Sequence, residues 1–339
     1  MSQTVEMFVQ EGTLHVPAVA SVGVIVPTYN AASDWQAFSD SLSRQGIPPE
    51  QILIIDSSSN DSTRELARKS GYRVVCIPKE EFGHGSTRQL ACSYFPQAEL
   101  LVFLTQDAVL DKPTSLQLLC EALDDPSVGA ALGRQVPRSE ADAIERHARL
   151  FNYPMVSQVR TFESRSELGI KAAFNSNSFA VYRRVALEQA GGFPSHVILG
   201  EDTYVAAKLL MNGWKIAYVA DASVIHSHGL SLRQEFKRYF DTGVLHHREI
   251  WLLETFGRAS NEGLRFVKSE FKYLRSSRAW HLMPIAALRT GTKLLAYRLG
   301  LIEHKLPRGV KRALSMSPGF WSEKDANSVL DHKSHSSVK

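Results

Sequence analysis

The sequence has few cysteines and no apolar run of membrane-spanning length. Cys76, Cys92 and Cys120 are an odd number among 339 residues and lack the spacing of a metal site. Each lies in an apolar setting, which predicts buried free thiols in a reducing compartment. No stretch reaches the roughly 18 consecutive apolar residues that span a bilayer. The N-terminus begins polar, without a secretory signal pattern. We therefore expect a cytoplasmic protein.

Two common nucleotide-binding motifs are also absent. No G-x-G-x-x-G follows the first predicted strand, and no G-x-x-x-x-G-K-S/T occurs anywhere in the chain. Their absence argues against NAD-dependent dehydrogenases and P-loop NTPases, because both classes hold phosphate on such glycine-rich loops. A phosphate-bearing ligand would have to be bound by other residues.

Charge is distributed unevenly along the chain. From Ser231 to Lys339 there are 20 Lys/Arg against 10 Asp/Glu, a net of +10, whereas the first 230 residues carry a net of −6. A basic C-terminal third favours an anionic partner, either membrane phospholipid or a phosphorylated substrate. A solvated helical face would give the same pattern. Nucleic acid is not among the partners that we expect.

Apolar runs alternate with helical patterns through the first 110 residues. The predicted strands cover 22–26, 52–55, 74–77 and 100–104, with helices near 34–44 and 62–70. This rhythm predicts a parallel sheet with right-handed crossovers. With 44% hydrophobic residues, the chain can bury one large α/β domain plus an appendage.

Asp107 follows the strand 100–104, at the edge of the sheet where open α/β folds bind ligands. A carboxylate there can hold a divalent cation against a phosphate-bearing ligand. Alternatively, Asp107 caps the helix that follows Pro113. This stretch alone leaves both interpretations open.

Several motifs together resemble a known family. The segments V-I-V-P-T-Y-N at 24–30 and I-I-D-S-S-S-N-D-S-T at 54–63, with a later strand ending in Asp, are similar to the inverting GT-A glycosyltransferases of family 2. The segments F-G-H-G-S-T-R at 82–88 and L-T-Q-D-A at 104–108 resemble bacterial rhamnosyltransferases, with Gly83 in place of a usual Asn. The resemblance covers roughly residues 22–321. It implies an α/β GT-A fold, with a mostly parallel central sheet flanked by helices and a helical C-terminal appendage.

The resemblance implies a nucleotide-diphosphate-sugar donor, with dTDP-L-rhamnose expected and a UDP-hexose as the alternative. A non-catalytic domain that binds nucleotide or glycan is the other alternative. Asp56 would bind the base, or instead cap the helix near Ser62. Gly85 and Arg88 would meet phosphate at a helix N-terminus, with a surface ion pair as the alternative for Arg88. The expected donor-binding residues are Pro27, Thr28, Tyr29, Asp56, Ser57, Ser58, His84, Gly85, Arg88 and Gln106.

Asp107 matches the last carboxylate of the family's D-x-D metal motif, whereas Thr105 occupies the first position. The resemblance therefore implies Mg²⁺ or Mn²⁺ on one carboxylate, completed by a histidine from Ile225-His226-Ser227-His228. A two-residue spacing on a strand would put His226 and His228 on the same face. His228 is preferred because it is nearer the turn at Gly229.

An inverting transfer needs a carboxylate that takes the proton of the acceptor hydroxyl. Glu201 and Asp202 precede a predicted helix at 203–211, and the resemblance implies Asp202 as the base, with Glu201 as second choice. Helix capping is the alternative. The expected acceptor-binding residues are Asn175, Asn177 and Trp214, with turn chemistry and core packing as their alternatives.

The chain is predicted to comprise a lead-in at 1–20, a catalytic domain at 21–243, a basic helical region at 244–322 and a disordered tail at 323–339. Residues 280–306 mix apolar and basic side chains, a pattern typical of a helix lying on an anionic membrane. The same pattern fits a helix packed on the catalytic body or on a second subunit in a homo-oligomer. The expected acceptor is a saccharide or lipid-linked saccharide, met at the inner face of the cytoplasmic membrane.

Overall fold

The computed structural model describes residues 22–226, 229–257 and 262–321. The predicted lead-in, the predicted tail and His228 lie outside the described residues. Within those ranges, no helix combines the length and the apolar character needed to cross a membrane.

The first part of the chain folds as its alternating pattern predicts. The strands are β1 (Val22–Thr28), β2 (Ile52–Asp56), β3 (Arg73–Cys76) and β4 (Leu100–Leu104), and the helices are α1 (Trp35–Ser43), α2 (Thr63–Lys69) and α3 (His84–Cys92). Strand β1 pairs in parallel with both β2 and β4, and β2 pairs in parallel with β3. The predicted parallel arrangement of these strands is confirmed.

The second part continues the sheet and then becomes helical. It comprises β5 (Val109–Leu110), α4 (Ser115–Glu121), β6 (Val128–Val136), α5 (Ala143–Asn152), β7 (Gln158–Arg160), α6 (Arg165–Leu168), β8 (Phe179–Arg183), α7 (Arg184–Gln189), α8 (Glu201–Met211) and β9 (Lys215–Ile225). The helices that follow are α9 (Leu232–Arg248), α10 (Ile250–Phe256), α11 (Glu262–Ser276), α12 (Met283–Leu301) and α13 (Arg308–Leu314).

Among the described residues, nine strands form one mixed sheet in the order β3-β2-β1-β4-β8-β6-β9-β5, and β7 also pairs with β9. Strand β8 runs antiparallel to β4 and β6, while β6 and β9 are parallel. The carboxyl ends of β1, β2, β4, β6 and β9 therefore meet the amino end of β8 along one edge. We call this line of strand ends the binding edge.

Alternate residues of the central strands pack into two hydrophobic layers, one on each face of the sheet. Ile25 and Phe103 face one layer with helix α8, whereas Val24 and Val102 face the other with helices α1 and α4. Burial on both faces explains why these strands read as continuous apolar runs. The two layers fix the strands, and hence the loops that leave the binding edge.

Helices α9 and α12 connect the basic C-terminal region with the α/β part of the molecule. A Cβ atom at Gly300 would lie 2.1 Å from the Phe240 carbonyl oxygen, so the two helix backbones are in direct contact there. The Glu235 carboxylate of α9 forms ion pairs with two residues of α12, Lys293 at 3.2 Å and Arg289 at 3.6 Å. The boundary that we predicted at Gly243 falls inside the continuous helix α9.

One prediction about the cysteines is wrong. Cys92 and Cys120 are buried, and burial raises the pKa of each thiol to about 12. Cys76 is exposed, because β3 is the edge strand and has a neighbour on one side only.

Candidate active site

Asp56 organises the loop that follows β2. Its carboxylate is fully buried and accepts hydrogen bonds from the Thr28 hydroxyl at 2.9 Å, the Ser59 backbone N–H at 2.8 Å and the Ser59 hydroxyl at 2.5 Å. The alternative that Asp56 caps the next helix is wrong, because the Asp61 carboxylate accepts the Thr63 N–H instead. The expected contact between Asp56 and a nucleotide base stays a prediction.

Tyr29 and Gln106 join the loops after β1 and β4. The Gln106 side chain accepts the Tyr29 N–H at 2.8 Å and donates to the Tyr29 carbonyl at 3.2 Å. Lys79 donates to the Tyr29 hydroxyl at 2.6 Å, and its ammonium lies 4.4 Å from the ring centroid. Tyr29 is exposed at the rim of the binding edge, so it is available to a planar ligand instead of packing in the core.

Ser57 and Ser58 follow Asp56 at the same edge. Ser57 is buried, whereas Ser58 is exposed and has a left-handed backbone with φ of 59°. The Ser58 hydroxyl donates to the Ile77 carbonyl at 2.8 Å, which fixes this turn against the strand β3 side of the sheet. Pro27 and Thr28 lie at the end of β1, paired with Ile55 and Asp56.

Helix α3 begins at His84 and contributes two residues that the sequence assigned to phosphate. A Cβ atom at Gly85 would lie 1.8 Å from the Pro194 carbonyl oxygen, so glycine is required there by packing against residue 194. Arg88 is buried, and its Nη1 lies 3.0 Å from the Glu201 carboxylate and 2.8 Å from the His84 carbonyl. The guanidinium is thus held in a buried ion pair, so the alternative of a surface ion pair is wrong, whereas the contact with phosphate stays a prediction.

Glu201 and Asp202 open helix α8, but their surroundings differ. The Glu201 carboxylate is buried and accepts the Asn177 side-chain N–H at 3.0 Å, in addition to its ion pair with Arg88. Asp202 is half-buried and accepts backbone N–H groups from Thr203 at 2.7 Å and Asn177 at 3.3 Å. The protein therefore uses Glu201 as a fixed counter-ion and leaves Asp202 as the carboxylate suited to proton transfer.

The electrostatics of the acid pair separate the two carboxyl groups. Burial, together with the nearby Glu201 charge, raises the pKa of Asp202 to about 7. Burial is the largest single influence on Glu201 and acts to raise its pKa, but the charges of Arg88 and His84 and the hydrogen bond from Asn177 together outweigh burial, so the pKa of Glu201 is lowered. Two adjacent acids with oppositely shifted pKa values are typical of an acid–base site.

Asp107 lies against His226, which directly follows β9, and a metal ion bound by these two side chains stays a prediction. Its Oδ2 is 3.2 Å from His226 Nε2, and His226 Nδ1 is 2.9 Å from Gln135 Oε1. The alternative that Asp107 caps the next helix is wrong, because α4 begins at Ser115 after Thr114 without a capping side chain. Within the described ranges no three His, Cys, Asp or Glu side chains come together as a group that could hold a metal ion.

The loop 175–178 connects the acid pair with the Asp107 loop. The Thr105 N–H donates to the Ser178 carbonyl at 3.4 Å, while the neighbouring Asn177 N–H donates to Asp202. The Ser176 hydroxyl accepts a hydrogen bond from the Gln135 side-chain amide at 2.9 Å. Asp202 and the loop that carries Asp107 are therefore both hydrogen-bonded to the loop 175–178 at the binding edge.

The acceptor-binding residues predicted from the sequence need correction. Asn175 and Asn177 are buried and bond the Tyr182 hydroxyl at 2.9 Å and 2.8 Å, so they support the acid pair from inside. Trp214 precedes β9 and lies at the opposite edge of the sheet, where its indole N–H donates to Gln189. The eleven residues of α8 put roughly 16 Å between Glu201 and that end of the helix.

Sequence analysis missed Gln135 and Arg149, which lie beside His226. Gln135 is the penultimate residue of β6, and Arg149 of α5 donates to its side chain at 2.7 Å. Arg238 of α9 adds a positive charge that, after burial and Arg88, helps to lower the pKa of His84. A polar residue at the end of an apolar strand marked Asp56 and Asp107, and the same signal at 128–136 would have identified Gln135.

The chain is similar to known glycosyltransferases. Residues 23–191 match Glycosyl transferase family 2. The O-antigen chain rhamnosyltransferase WbaN of Salmonella anatum is 43% identical over 304 residues, which cover 89% of this chain and 96% of that protein. RfbN of Salmonella typhimurium, also an O-antigen chain rhamnosyltransferase, is 42% identical over 303 residues with the same coverage.

Among solved structures, the mannosyltransferase PcManGT from Pyrobaculum calidifontis, in complex with GDP-Man and Mn²⁺, has a TM-score of 0.55 and 20% identity. The match covers 88% of this chain and 86% of that one, and it supports the GT-A fold predicted from the sequence. The family match, the two relatives and the fold together identify the chain as a glycosyltransferase that belongs to glycosyl transferase family 2.

Proposed function

We propose that the chain is an inverting rhamnosyltransferase that moves L-rhamnose from dTDP-L-rhamnose to a sugar hydroxyl of a bacterial surface glycan or lipid-linked saccharide. The observation that carries the proposal is the common loop 175–178, which ties Asp202 to the Asp107 loop. A base and a site for the leaving diphosphate are the two requirements of such a transfer. The two rhamnosyltransferase relatives support the choice of sugar.

In the proposed reaction, the Asp202 carboxylate takes the proton of the acceptor hydroxyl. The hydroxyl oxygen then forms a bond to the anomeric carbon from the face opposite the nucleotide. The bond between that carbon and the diphosphate oxygen breaks, and dTDP leaves with the electron pair. Attack from the opposite face converts a β-linked donor into an α-rhamnoside.

The pair Asp107 and His226 fits a divalent cation. Two neighbouring ligands of an octahedral ion at about 2.1 Å lie about 3.0 Å apart, and the observed Oδ2–Nε2 distance is 3.2 Å. A carboxylate oxygen and an imidazole nitrogen are both ligands for Mn²⁺, and phosphate oxygens of the donor would complete the shell. When bound, Mg²⁺ or Mn²⁺ neutralises charge on the departing diphosphate.

Calorimetric titration tests the donor. dTDP-L-rhamnose and UDP-glucose are each titrated into the protein with Mg²⁺ and with EDTA. Binding of dTDP-L-rhamnose that requires metal supports the proposal, whereas preference for UDP-glucose would replace rhamnose by a hexose. Failure of folded protein to bind either sugar nucleotide would favour a non-catalytic GT-A domain. Asp107→Asn is the matched variant, because it keeps the side-chain shape and removes the charge.

We also propose that α12 contacts an anionic lipid surface. The helix exposes Ile285, Leu288 and Leu295, Ile302 directly after it is also exposed, and Trp280 before it is 68% exposed. Exposed cations precede this stripe in the chain, lie within α12 and follow it, and among the described residues no ion pair is found for Arg275, Arg278, Arg298, Lys305 and Arg312. An apolar stripe bordered by cations complements acidic head groups and acyl chains.

Vesicle sedimentation tests the lipid contact. The protein should bind vesicles of phosphatidylcholine with phosphatidylglycerol and should not bind phosphatidylcholine alone. Leu288→Ser with Leu295→Ser should weaken binding about tenfold, since two half-exposed leucines lose about 1.5 kcal/mol of transfer free energy. Met155→Ser with Val156→Ser is the control, because those side chains are exposed on the loop between α5 and β7. A stable dimer in sedimentation velocity, without vesicle binding, would assign the stripe to a second copy.

A further inference from the structure

Gln135 occupies a buried position between the metal-binding pair and two other elements. It lies near the end of β6, is 2% exposed, and its side chain contacts His226, Arg149 and Ser176. Its backbone neighbour in β9 is Val224, two residues before His226. Strand pairing therefore fixes the distance between Gln135 and the histidine.

The contacts of Gln135 determine which way its amide points. Arg149 can only donate, so the Gln135 atom 2.7 Å from its Nη1 is the amide oxygen. The amide nitrogen then faces the Ser176 hydroxyl at 2.9 Å, which accepts its hydrogen bond. The same oxygen lies 2.9 Å from His226 Nδ1.

An amide oxygen can only accept a hydrogen bond, so His226 Nδ1 must carry a proton. In a neutral imidazole with a proton on Nδ1, the other nitrogen carries the lone pair. That nitrogen, Nε2, is the atom 3.2 Å from Asp107 Oδ2. With the ring neutral, two lone-pair atoms at this distance repel each other unless a proton or a metal cation lies between them.

We propose that Gln135 is a positioning residue that holds His226 in the Nδ1–H tautomer, and so presents Nε2 with Asp107 as a preformed ligand pair for a divalent cation. The inference rests on the metal site proposed above and extends it to a residue outside the ligand set. Arg149 contributes by fixing the amide orientation of Gln135. A partner on the second ring nitrogen orients a ligating histidine and makes it a better ligand.

The first test measures the tautomer directly, without substrate. Protein labelled with ¹⁵N-histidine is examined by long-range ¹H–¹⁵N NMR at pH 8 without metal, and the His226 signals are assigned with a His226→Gln variant. The wild-type ring should carry its proton on Nδ1. Gln135→Met, which keeps the length and removes the acceptor, should shift His226 toward the Nε2–H form. A wild-type ring protonated on Nε2 alone would overturn the inference.

The second test measures Mn²⁺ affinity by calorimetry with MnCl₂ in the presence of dTDP. Gln135→Met should bind Mn²⁺ about 10–100-fold more weakly, and Gln135→Glu, which restores an acceptor, should stay within about threefold of wild type. Gln45→Met is the matched control, because Gln45 bonds Leu116 and Lys112 away from this site. Unchanged Mn²⁺ affinity in Gln135→Met would overturn the inference. Absent rhamnose transfer by wild-type protein would instead contradict the proposed function.

Discussion

Asp202 is the residue on which the proposed chemistry depends. Asp202→Asn keeps the size of the side chain but cannot take a proton, and its single oxygen can accept only one of the two backbone hydrogen bonds that Thr203 and Asn177 donate to Asp202. We expect kcat to fall by about 10²–10⁴, with the Kd for dTDP-L-rhamnose unchanged. Steady-state kinetics and calorimetry check the two quantities. If Asp202→Asn kept the wild-type kcat, Asp202 would not be the base.

The pH dependence of turnover follows from the same residue. A general base acts only when it is ionised, and the pKa of Asp202 is raised to about 7 by burial and by Glu201. The value of kcat/KM should therefore rise with pH up to about 7 and level off above it, with a slope of about one on logarithmic axes below pH 7. A flat profile between pH 5.5 and 8.5 would contradict the assignment.

The ion pair between Arg88 and Glu201 should be important for stability. Both side chains are 6% exposed, so removing the cation leaves a buried carboxylate without its partner. Arg88→Met should lower the free energy of unfolding by about 3–5 kcal/mol, and adding Glu201→Gln should restore much of the loss. Urea unfolding measures both effects.

The control for this ion pair is Lys69→Met, which breaks an exposed pair with Glu65 on α2. Its free energy of unfolding should equal that of wild type within error, because solvent screens an exposed pair. If Arg88→Met and Lys69→Met lowered the free energy of unfolding equally, burial would not explain the importance of the Arg88 ion pair.

At the scale of elements, the crossing of α9 and α12 attaches the basic region to the catalytic body. A Cβ atom at Gly300 would lie 2.1 Å from the Phe240 carbonyl oxygen, so Gly300→Ala must separate the two helices. We expect a fall of several degrees in Tm. Gly291→Ala is the control in the same helix, because no atom lies within 4 Å of its Cβ position, and it should raise stability by about 0.5–1 kcal/mol. If Gly300→Ala and Gly291→Ala changed Tm equally and in the same direction, the close contact between α9 and α12 at Gly300 would be contradicted.

The strands of the first half could be predicted because local pattern and fold agree there. Strand β4 has the predicted bounds, since a run buried on both faces with polar ends has few other interpretations. Strand β8 and the order of the sheet depend on pairings between distant residues, which apolar runs do not specify. Gly243 was interpreted as a break between regions, yet it lies within α9 at a helix crossing, and only the contact with α12 explains it.

At the scale of the whole molecule, the residues of the motifs converge on one edge of the sheet, whereas the contacts of each side chain depend on packing. Asp56, Asp107, His226 and Asp202 all lie near the binding edge, because the carboxyl ends of the strands and the start of α8 converge there. Arg88, Asn175 and Asn177 were assigned to ligands, whereas the fold buries them around the acid pair. Burial depends on tertiary packing, which a motif of a few residues does not encode.

Transfer of labelled rhamnose tests the central claim of the account most directly. Bacterial membrane extract containing lipid-linked saccharides is incubated with Mg²⁺, labelled dTDP-L-rhamnose and either wild-type protein or Asp202→Asn, and the product linkage is determined by NMR. We predict that wild-type protein makes an α-rhamnoside and that Asp202→Asn makes at most about one hundredth as much. A β-linked product, or equal transfer by the variant, would contradict inverting transfer with Asp202 as the base.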